Sequence, residues 1–191
     1  MNLILIRHGE TKWNLEMRYQ GLLDSDLTTK GKQQVRDNAL KLAKKFKTFD
    51  NIKIFSSPLG RAKKSAYIIC DNLNIDRKKI IFEDRLKEFN YGIFEGKTRD
   101  EIDSNKLKER EANKWSYEIE DGDSYIKVSD RLKSWLDEIK DEDVVIIIAH
   151  EMINRVLRGI YLNLLSDEII LLRQRNDIII HLDNGIEKEL K

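Results

Sequence analysis

Continuous apolar runs alternate with amphipathic stretches along this chain. Residues 3–6 and 144–149 are uninterrupted apolar runs, which are typical of strands buried on both faces of a sheet. Shorter strands are predicted at 52–55 and 79–82. Between the runs, apolar residues recur every three or four positions, which indicates helices with one buried face. This alternation predicts an α/β fold with three layers, α/β/α, around a mostly parallel sheet.

Capping residues and the single proline indicate where helices begin. Thr28 precedes a helical pattern whose apolar positions extend to Phe46, so a helix is predicted there. Pro58 suits the first turn of a second helix, which we expect to run to about Leu73. Further helices are predicted at about 98–113, after Ser124, and at about 152–164.

Three regions depart from the alternation. Residues 83–96 combine two glycines with three aromatic residues, which indicates an ordered loop of the kind that carries function. Residues 97–123 are strongly charged and are predicted to form a small helical cap. Residues 177–190 are predicted to form an antiparallel hairpin with its turn at 183–185. Because the sequence contains no repeat or linker, residues 1–191 are expected to form one domain.

The composition indicates which kinds of molecule the protein can bind. Lys and Arg number 35 against 34 Asp and Glu, a net charge of only +1, which argues against nucleic-acid binding as the main function. Cys70 is the single cysteine, which excludes an internal disulfide and fits a reducing compartment. No apolar run approaches the ~18 residues of a membrane span. We therefore expect a cytoplasmic protein with a small-molecule partner and no membrane partner; a homodimer stays open.

Reactive side chains follow three of the predicted strands. Arg7 and His8 follow the first strand, Arg61 the second, and His150 the last parallel strand. Since parallel strands bring their carboxyl ends to one edge of a sheet, we expect these residues to converge there, joined by Glu88 from the irregular loop. Two guanidiniums, two imidazoles and one carboxylate suit a phosphate group better than a metal ion. No metal and no cofactor are expected.

These residues lie in segments that resemble the histidine phosphatase superfamily, the phosphoglycerate mutase-like proteins. Arg-His-Gly alone is a weak signal, but the matching segments occur in the family's order and extend over nearly the whole chain. They are residues 7–11, 13–14, 20–21, 27–28, Gly31, 56–59, 61–62, Leu86, Glu88, Gly92, 95–96 and His150.

The resemblance implies a metal-independent mechanism through a covalent intermediate. His8 would attack phosphorus and become a phosphohistidine, while Arg7, Arg61 and a protonated His150 would hold the non-bridging oxygens. Glu88 would protonate the leaving alkoxide and then take a proton from water, which requires a raised pKa. Secondary substrate contacts are implied for Gly9, Thr11, Asn14, Gln20 and Gly21.

Two carboxylates leave alternatives open. Glu95 lies near enough to Glu88 in sequence to compete for the role of proton donor. Glu151 stands where the family usually has a glycine after the second histidine, and we include it among the candidate binding residues. Its side chain either faces the phosphate and repels it, or points away as a favourable first-turn residue of a helix.

The length of the cap separates the activities that the resemblance allows. In the family's mutases a long segment between the glutamate loop and the second histidine encloses the substrate, whereas residues 97–123 here are short. We therefore expect a phosphomonoester hydrolase of the small phosphatase branch, acting on a small phosphorylated metabolite. A cofactor-dependent phosphoglycerate mutase and a non-catalytic phosphate-binding module are the alternatives.

Overall fold

The computed structural model describes residues 1–190; Lys191, the last residue of the predicted domain, lies outside the described residues. The strands are β1 (Asn2–Arg7), β2 (Lys53–Ser56), β3 (Ile80–Phe82), β4 (Val144–Ala149), β5 (Ile179–Asp183) and β6 (Ile186–Leu190). The helices are α1 (Lys12–Leu15), α2 (Thr29–Lys45), α3 (Gly60–Asn72), α4 (Ser104–Ala112), α5 (Tyr125–Glu138), α6 (Glu151–Tyr161) and α7 (Ser166–Ile169).

All of these strands belong to one sheet with the order β3-β2-β4-β1-β5-β6. Strands β3, β2, β4 and β1 are parallel, and β5 and β6 add an antiparallel pair beside β1. In register, Ile146 of β4 lies between Ile4 of β1 and Ile54 of β2. The mostly parallel sheet with a C-terminal antiparallel pair confirms the predicted fold class.

Helices cover both faces of the sheet because successive strand side chains point in opposite directions. Ile4 and Ile6 of β1 pack with the apolar residues of α2 and α3. Leu3 and Leu5, on the opposite face, pack with α5, α6 and the cap. A strand enclosed in this way has no polar face, which explains why β1 and β4 are continuous apolar runs.

The start of α2 agrees with its predicted cap, but the start of α3 does not. The Thr28 side chain accepts a hydrogen bond from the Gly31 amide at 2.9 Å, as expected of a residue that precedes a helix. Pro58 lies before α3 rather than in its first turn. The Asp24 carboxylate, from a distant loop, accepts a hydrogen bond from the Arg61 amide at 3.1 Å and thereby caps this helix.

The prediction of a continuous helix over 98–113 is wrong in its first part. Residues Arg99–Glu101 form a short 3-10 turn, and α4 begins only at Ser104. The Asp103 side chain accepts a hydrogen bond from the Asn105 amide, so it caps a new helix there. Helix α6 is also shorter than predicted and ends at Tyr161, because Asn163 adopts a left-handed conformation with φ of 54°.

The C-terminal hairpin is confirmed with its turn at the predicted place. Its first strand starts at Ile179, two residues later than expected. The Gln174 side chain donates hydrogen bonds to the carbonyls of Leu5 and Ile178, which keeps the approach to β5 as a loop beside the end of β1. Within residues 1–190, no helix has both the length and the apolar character needed to cross a bilayer.

Candidate active site

Three strand ends meet at one edge of the sheet. Hydrogen bonding between strands continues past β1 and β2, since His8 N–H donates to the Ala149 carbonyl and Ser57 N–H to the Ile148 carbonyl, both at 3.0 Å. His150 follows β4, which lies between the other two strands. The rings of His8 and His150 consequently lie with their centroids 5.3 Å apart.

The hydrogen bonding of His8 determines which ring nitrogen can react. His8 Nδ1 lies 2.8 Å from the carbonyl oxygen of Gly9. A carbonyl only accepts hydrogen bonds, so Nδ1 carries the proton and Nε2 carries the lone pair in the neutral ring. The Asn176 side chain donates to the His8 carbonyl at 2.7 Å and further fixes the residue. His8 therefore has the lone pair of the neutral ring on Nε2.

Burial keeps His8 neutral. Its side chain is 2 % exposed, and burial lowers its pKa well below the ordinary histidine value. The nearby charges of Arg61 and Arg7 lower the pKa further. A neutral imidazole beside two cations retains its lone pair over a wide pH range while an anion is attracted to the same place.

His150 is also buried, and its environment differs from the protonated state that the resemblance implies. Its Nε2 lies 2.8 Å from the Ser57 hydroxyl, and its Nδ1 is buried without a protein partner. Burial lowers its pKa well below the ordinary value, and the charges of Arg61 and His8 lower the pKa further. A phosphate dianion next to the ring would oppose this shift, since an opposite charge favours the protonated form.

Arg61 is held by the loop that precedes α2. Its Nη1 donates to the Leu23 carbonyl at 2.7 Å and to Asp24 at 3.0 Å, and its Nη2 donates to the Gly21 carbonyl at 2.7 Å. The side chain is 1 % exposed, and its Nε is buried without a protein partner. The loop thus fixes one end of the guanidinium and leaves the Nε–H group free to donate to an anion.

Arg7 is fixed in a similar way, with Glu151 as one of its partners. Its Nη1 donates to the Gln174 carbonyl at 2.9 Å and lies 2.8 Å from Glu151 Oε2. The other oxygen of Glu151 accepts a hydrogen bond from Arg155 at 3.1 Å. Glu151 therefore neither points into solvent nor faces the phosphate site unpaired. Both Arg7 Nε and Arg155 Nε are buried without a protein partner.

Glu88 is the carboxylate that has the expected properties of a proton donor. It is 8 % exposed, and burial raises its pKa, although Arg61 and a hydrogen bond from the Phe89 amide oppose that effect. Glu95, the alternative, accepts hydrogen bonds from the amides of Leu22 and Tyr91 and holds two loops together. The structure thus distinguishes two carboxylates that the sequence left in competition.

A cavity of about 270 Å³ is lined by Arg7, His8, Arg61 and Glu88 of the predicted catalytic residues, whereas His150 does not line it. Among the implied secondary contacts, Asn14, Gln20 and Gly21 line it, whereas Gly9 and Thr11 do not. The Gly9 amide donates to the Ser65 hydroxyl, and a Cβ at Gly9 would clash with the Gly31 carbonyl. The lining residues are Arg7, His8, Asn14, Arg18, Tyr19, Gln20, Gly21, Arg61, Glu88, Tyr91, Glu151, Met152, Arg155 and Arg173.

The charges and donors of the cavity suit an anion. Its lining contains five arginines and two glutamates, so cations predominate. Within residues 1–190 there is no group of three or more histidine, cysteine, aspartate or glutamate side chains placed to hold a metal ion. The arrangement can bind a phosphate group with arginine Nε donors and present it to His8 Nε2, with the buried Glu88 carboxyl group also lining the cavity.

Comparison with known proteins identifies the family of the chain. The family model described as the histidine phosphatase superfamily (branch 1) matches residues 3–185. The chain belongs to the histidine phosphatase superfamily.

Curated members of the superfamily that match include proteins named "Probable phosphoglycerate mutase GpmB" from Escherichia coli. The one from the O1:K1 / APEC strain is 40% identical over 150 residues, which cover 74% of this chain. The matched region spans only 64% of the length of that relative.

Solved structures of the superfamily are similar over almost the whole chain. The α-ribazole phosphatase from Shigella flexneri is 19% identical with a TM-score of 0.81, covering 100% of this chain and 95% of that one. A mycobacterial glucosyl-3-phosphoglycerate phosphatase is 26% identical with a TM-score of 0.82, covering 95% of this chain and 90% of that one. Both confirm the fold.

The structure adds residues to the site that the sequence reasoning missed. Arg155 lines the cavity one helical turn after Glu151, and such i,i+4 acid–base spacing was visible in the sequence. Ser57, which contacts His150, lies within a segment that resembles the superfamily. Asp24, which holds Arg61, had no signal in the sequence because the two residues meet only through the fold.

Proposed function

We propose that this member of the superfamily hydrolyses phosphomonoesters of small metabolites through a phosphohistidine at His8. The observation that carries the proposal is the free Nε2 of a neutral, buried His8 beside the unpartnered Nε donors of Arg7 and Arg61. A nucleophile with a lone pair, set between cations that can bind the non-bridging oxygens, is what phosphoryl transfer to a side chain requires.

In the first step, His8 Nε2 attacks phosphorus and the bond from phosphorus to the ester oxygen breaks. The leaving oxygen takes the proton of the Glu88 carboxyl group, which burial helps to keep protonated. Arg7, Arg61 and His150 stabilise the charge on the non-bridging oxygens. The products of this step are a free alcohol, a phosphohistidine and an ionised Glu88.

In the second step, a water molecule attacks phosphorus and gives a proton to Glu88. The bond from phosphorus to His8 Nε2 breaks, inorganic phosphate leaves, and both side chains return to their starting forms. The same carboxyl group therefore acts first as an acid and then as a base. Its burial beside Arg61 supports both roles, since desolvation favours the neutral form and the cation favours the charged form.

Hydrolysis is favoured over mutase activity by the small cap. The helix of the cap, α4, spans only Ser104–Ala112. The mycobacterial phosphatase is similar in structure over 95% of this chain. The second candidate is a phosphoglycerate mutase, which the names of the Escherichia coli relatives favour. A mutase would isomerise phosphoglycerate in the presence of a bisphosphoglycerate primer, whereas a phosphatase would release inorganic phosphate.

The deciding experiment measures phosphate release from p-nitrophenyl phosphate and from a panel of metabolite phosphates, with and without EDTA. A turnover quenched in alkali should trap ³²P on the protein in an acid-labile form, and His8→Asn should lack both the label and the activity. His181→Asn is the matched control, since His181 contacts Asn2 away from the cavity.

Some results would contradict the proposal. Label on another residue, activity retained in His8→Asn, or a loss with EDTA that magnesium restores would each reject the mechanism. Isomerisation without net phosphate release would favour the mutase. Phosphate binding without any turnover would indicate that the protein is a non-catalytic phosphate-binding module.

A further inference from the structure

Glu151 and Arg155 form an ion pair inside the cavity, one turn apart on α6. The pair is held from both sides. Glu151 Oε2 lies 2.8 Å from Arg7, and Arg155 Nη1 donates to the Tyr125 hydroxyl at 2.6 Å. Glu151 is therefore placed between the guanidinium that faces the phosphate site and a second, buried guanidinium. This position is where the rest of the ester, beyond its phosphate, would lie.

The ion pair changes the charge that this part of the ester would meet. An unpaired buried Arg155 would attract a second anionic group, but the carboxylate of Glu151, 3.1 Å from it, opposes that attraction. Arg18 also lines the cavity, but it lies within 2.9 Å of both Glu16 and Glu101. Arg173 is exposed, so solvent and salt screen its charge. A second anion on the substrate would thus lie against a carboxylate.

The hydrogen-bonding groups of the pair suit an uncharged hydroxyl. Glu151 can only accept hydrogen bonds while it is ionised, and Arg155 can only donate them. Arg155 Nε is buried and has no partner in the protein. A hydroxyl group can donate to Glu151 and accept from Arg155 Nε at once. An ionised carboxylate or phosphate can accept from Arg155 but has no proton to offer Glu151.

We propose that Glu151, together with Arg155, selects phosphate esters of uncharged, hydroxyl-bearing alcohols and disfavours esters that carry a second anionic group. The inference rests on the proposed function and narrows its substrate to polyol or sugar phosphates. It also separates this chain from an enzyme whose substrate is a phosphorylated acid.

A pair of closely matched esters tests this selectivity. Glycerol 3-phosphate and 3-phosphoglycerate differ only in a hydroxymethyl group where the second compound has a carboxylate. We expect kcat/KM to favour the neutral ester by about tenfold, which corresponds to about 1.4 kcal/mol. Glu151→Gln should remove most of this preference because it keeps the size of the side chain and removes its charge. Any effect of the variant on Arg7 cancels in the ratio, since both esters share the phosphate site.

Glu187→Gln is the matched control. Glu187 pairs with Arg158, which lies on α6 like Glu151 and Arg155. The Glu187 side chain is 26% exposed, against 24% for Glu151, but Glu187 and Arg158 do not line the cavity. The control should retain the preference of the wild type. A wild type that favours 3-phosphoglycerate, or a ratio that Glu151→Gln does not move, would overturn the proposal.

Failure of this inference can be distinguished from failure of the proposed function. If no ester is hydrolysed, the proposed function fails, yet isothermal titration calorimetry with the same two esters still measures the preference. If the phosphohistidine forms and both esters react equally well in the wild type, the proposed function stands and the selectivity of Glu151 is rejected.

Discussion

The two sides of the cavity are built differently. The strand-end side is lined by His8, which follows β1, and by Arg61 of α3, which hydrogen bonds hold to the loop 21–24; each is at most 2 % exposed. The opposite side, called the cap side here because it leads into the cap at 97–123, is the loop 83–96, which contains two short 3-10 turns and no strand. Side chains rather than a sheet hold this loop in place.

Arg131 is one of the side chains that connect the loop 83–96 to the rest of the protein. Arg131 of α5 donates to the Lys87 carbonyl at 2.6 Å and to the Arg85 carbonyl at 3.2 Å. It also pairs with Asp123 at 3.0 Å, and Asp123 in turn accepts a hydrogen bond from the Asn90 amide. The position of Glu88 therefore depends on side chains from α5 and from the segment before it.

This difference suits a division of labour within the proposed reaction. The charge that must be stabilised on the phosphate is the same for every ester, so it suits buried side chains that the sheet edge and the loop 21–24 hold in fixed positions. The leaving alcohol differs between substrates, and loops tolerate changes that a parallel sheet does not. Variants on the strand-end side should thus affect all esters alike, while variants on the cap side should depend on the leaving group.

The largest effect is expected for Arg61→Ala on the strand-end side. Removing a donor that stabilises transition-state charge should lower kcat/KM on the order of 10³-fold, equally for aryl and alkyl phosphates. Lys63→Ala removes a charge from an exposed position on the same helix and should have no comparable effect. A loss confined to alkyl esters would contradict the division between the two sides.

The next largest effect is expected for Glu88→Gln on the cap side. Loss of the general acid should lower kcat/KM for an alkyl phosphate on the order of 10²-fold and affect p-nitrophenyl phosphate much less, because that leaving group needs little protonation. Glu95→Gln, a change in the carboxylate that bonds loop amides, serves as the comparison. Equal losses on both substrates would show that Glu88 only positions the ester.

The pH dependence should separate the two sides in the wild type. Glu88 must be protonated to donate, so alkyl turnover should fall by about tenfold per unit as pH rises beyond its raised pKa. His8 must be neutral, so turnover of both esters should fall only below its lowered pKa. The ratio of alkyl to aryl kcat/KM cancels the ionisation of His8. That ratio should decline with rising pH and become flat in Glu88→Gln.

The smallest effect is expected for Arg131→Ala. Losing the charged hydrogen bonds to the loop carbonyls should lower the free energy of unfolding by about 2 kcal/mol, measured by urea denaturation. It should also weaken alkyl turnover more than aryl turnover, because Glu88 loses its support. Lys127→Ala, at an exposed position on the same helix, is the control. Equal effects on both esters would contradict a role in positioning Glu88.

The sequence by itself determined the sheet and the convergence of its strand ends. Strand β4 begins and ends at the residues that the apolar run predicted, because a strand covered on both faces must be apolar throughout. His8, Arg61 and His150 could be placed together because they follow parallel strands, whose carboxyl ends share one edge. Strand periodicity and chain order are properties that a sequence contains directly.

Only the tertiary structure decided how the site residues are held and which side chains Glu151 pairs with. Arg61 binds carbonyls and Asp24 in a loop nearly forty residues earlier, and Glu151 lies between Arg7 and Arg155. The fold also determined that Glu88 is buried near Arg61, whereas Glu95 accepts hydrogen bonds from loop amides. Such contacts join irregular segments. The backbone conformation of these segments follows from packing and hydrogen bonding across the whole fold rather than from a repeating pattern of apolar residues in the sequence.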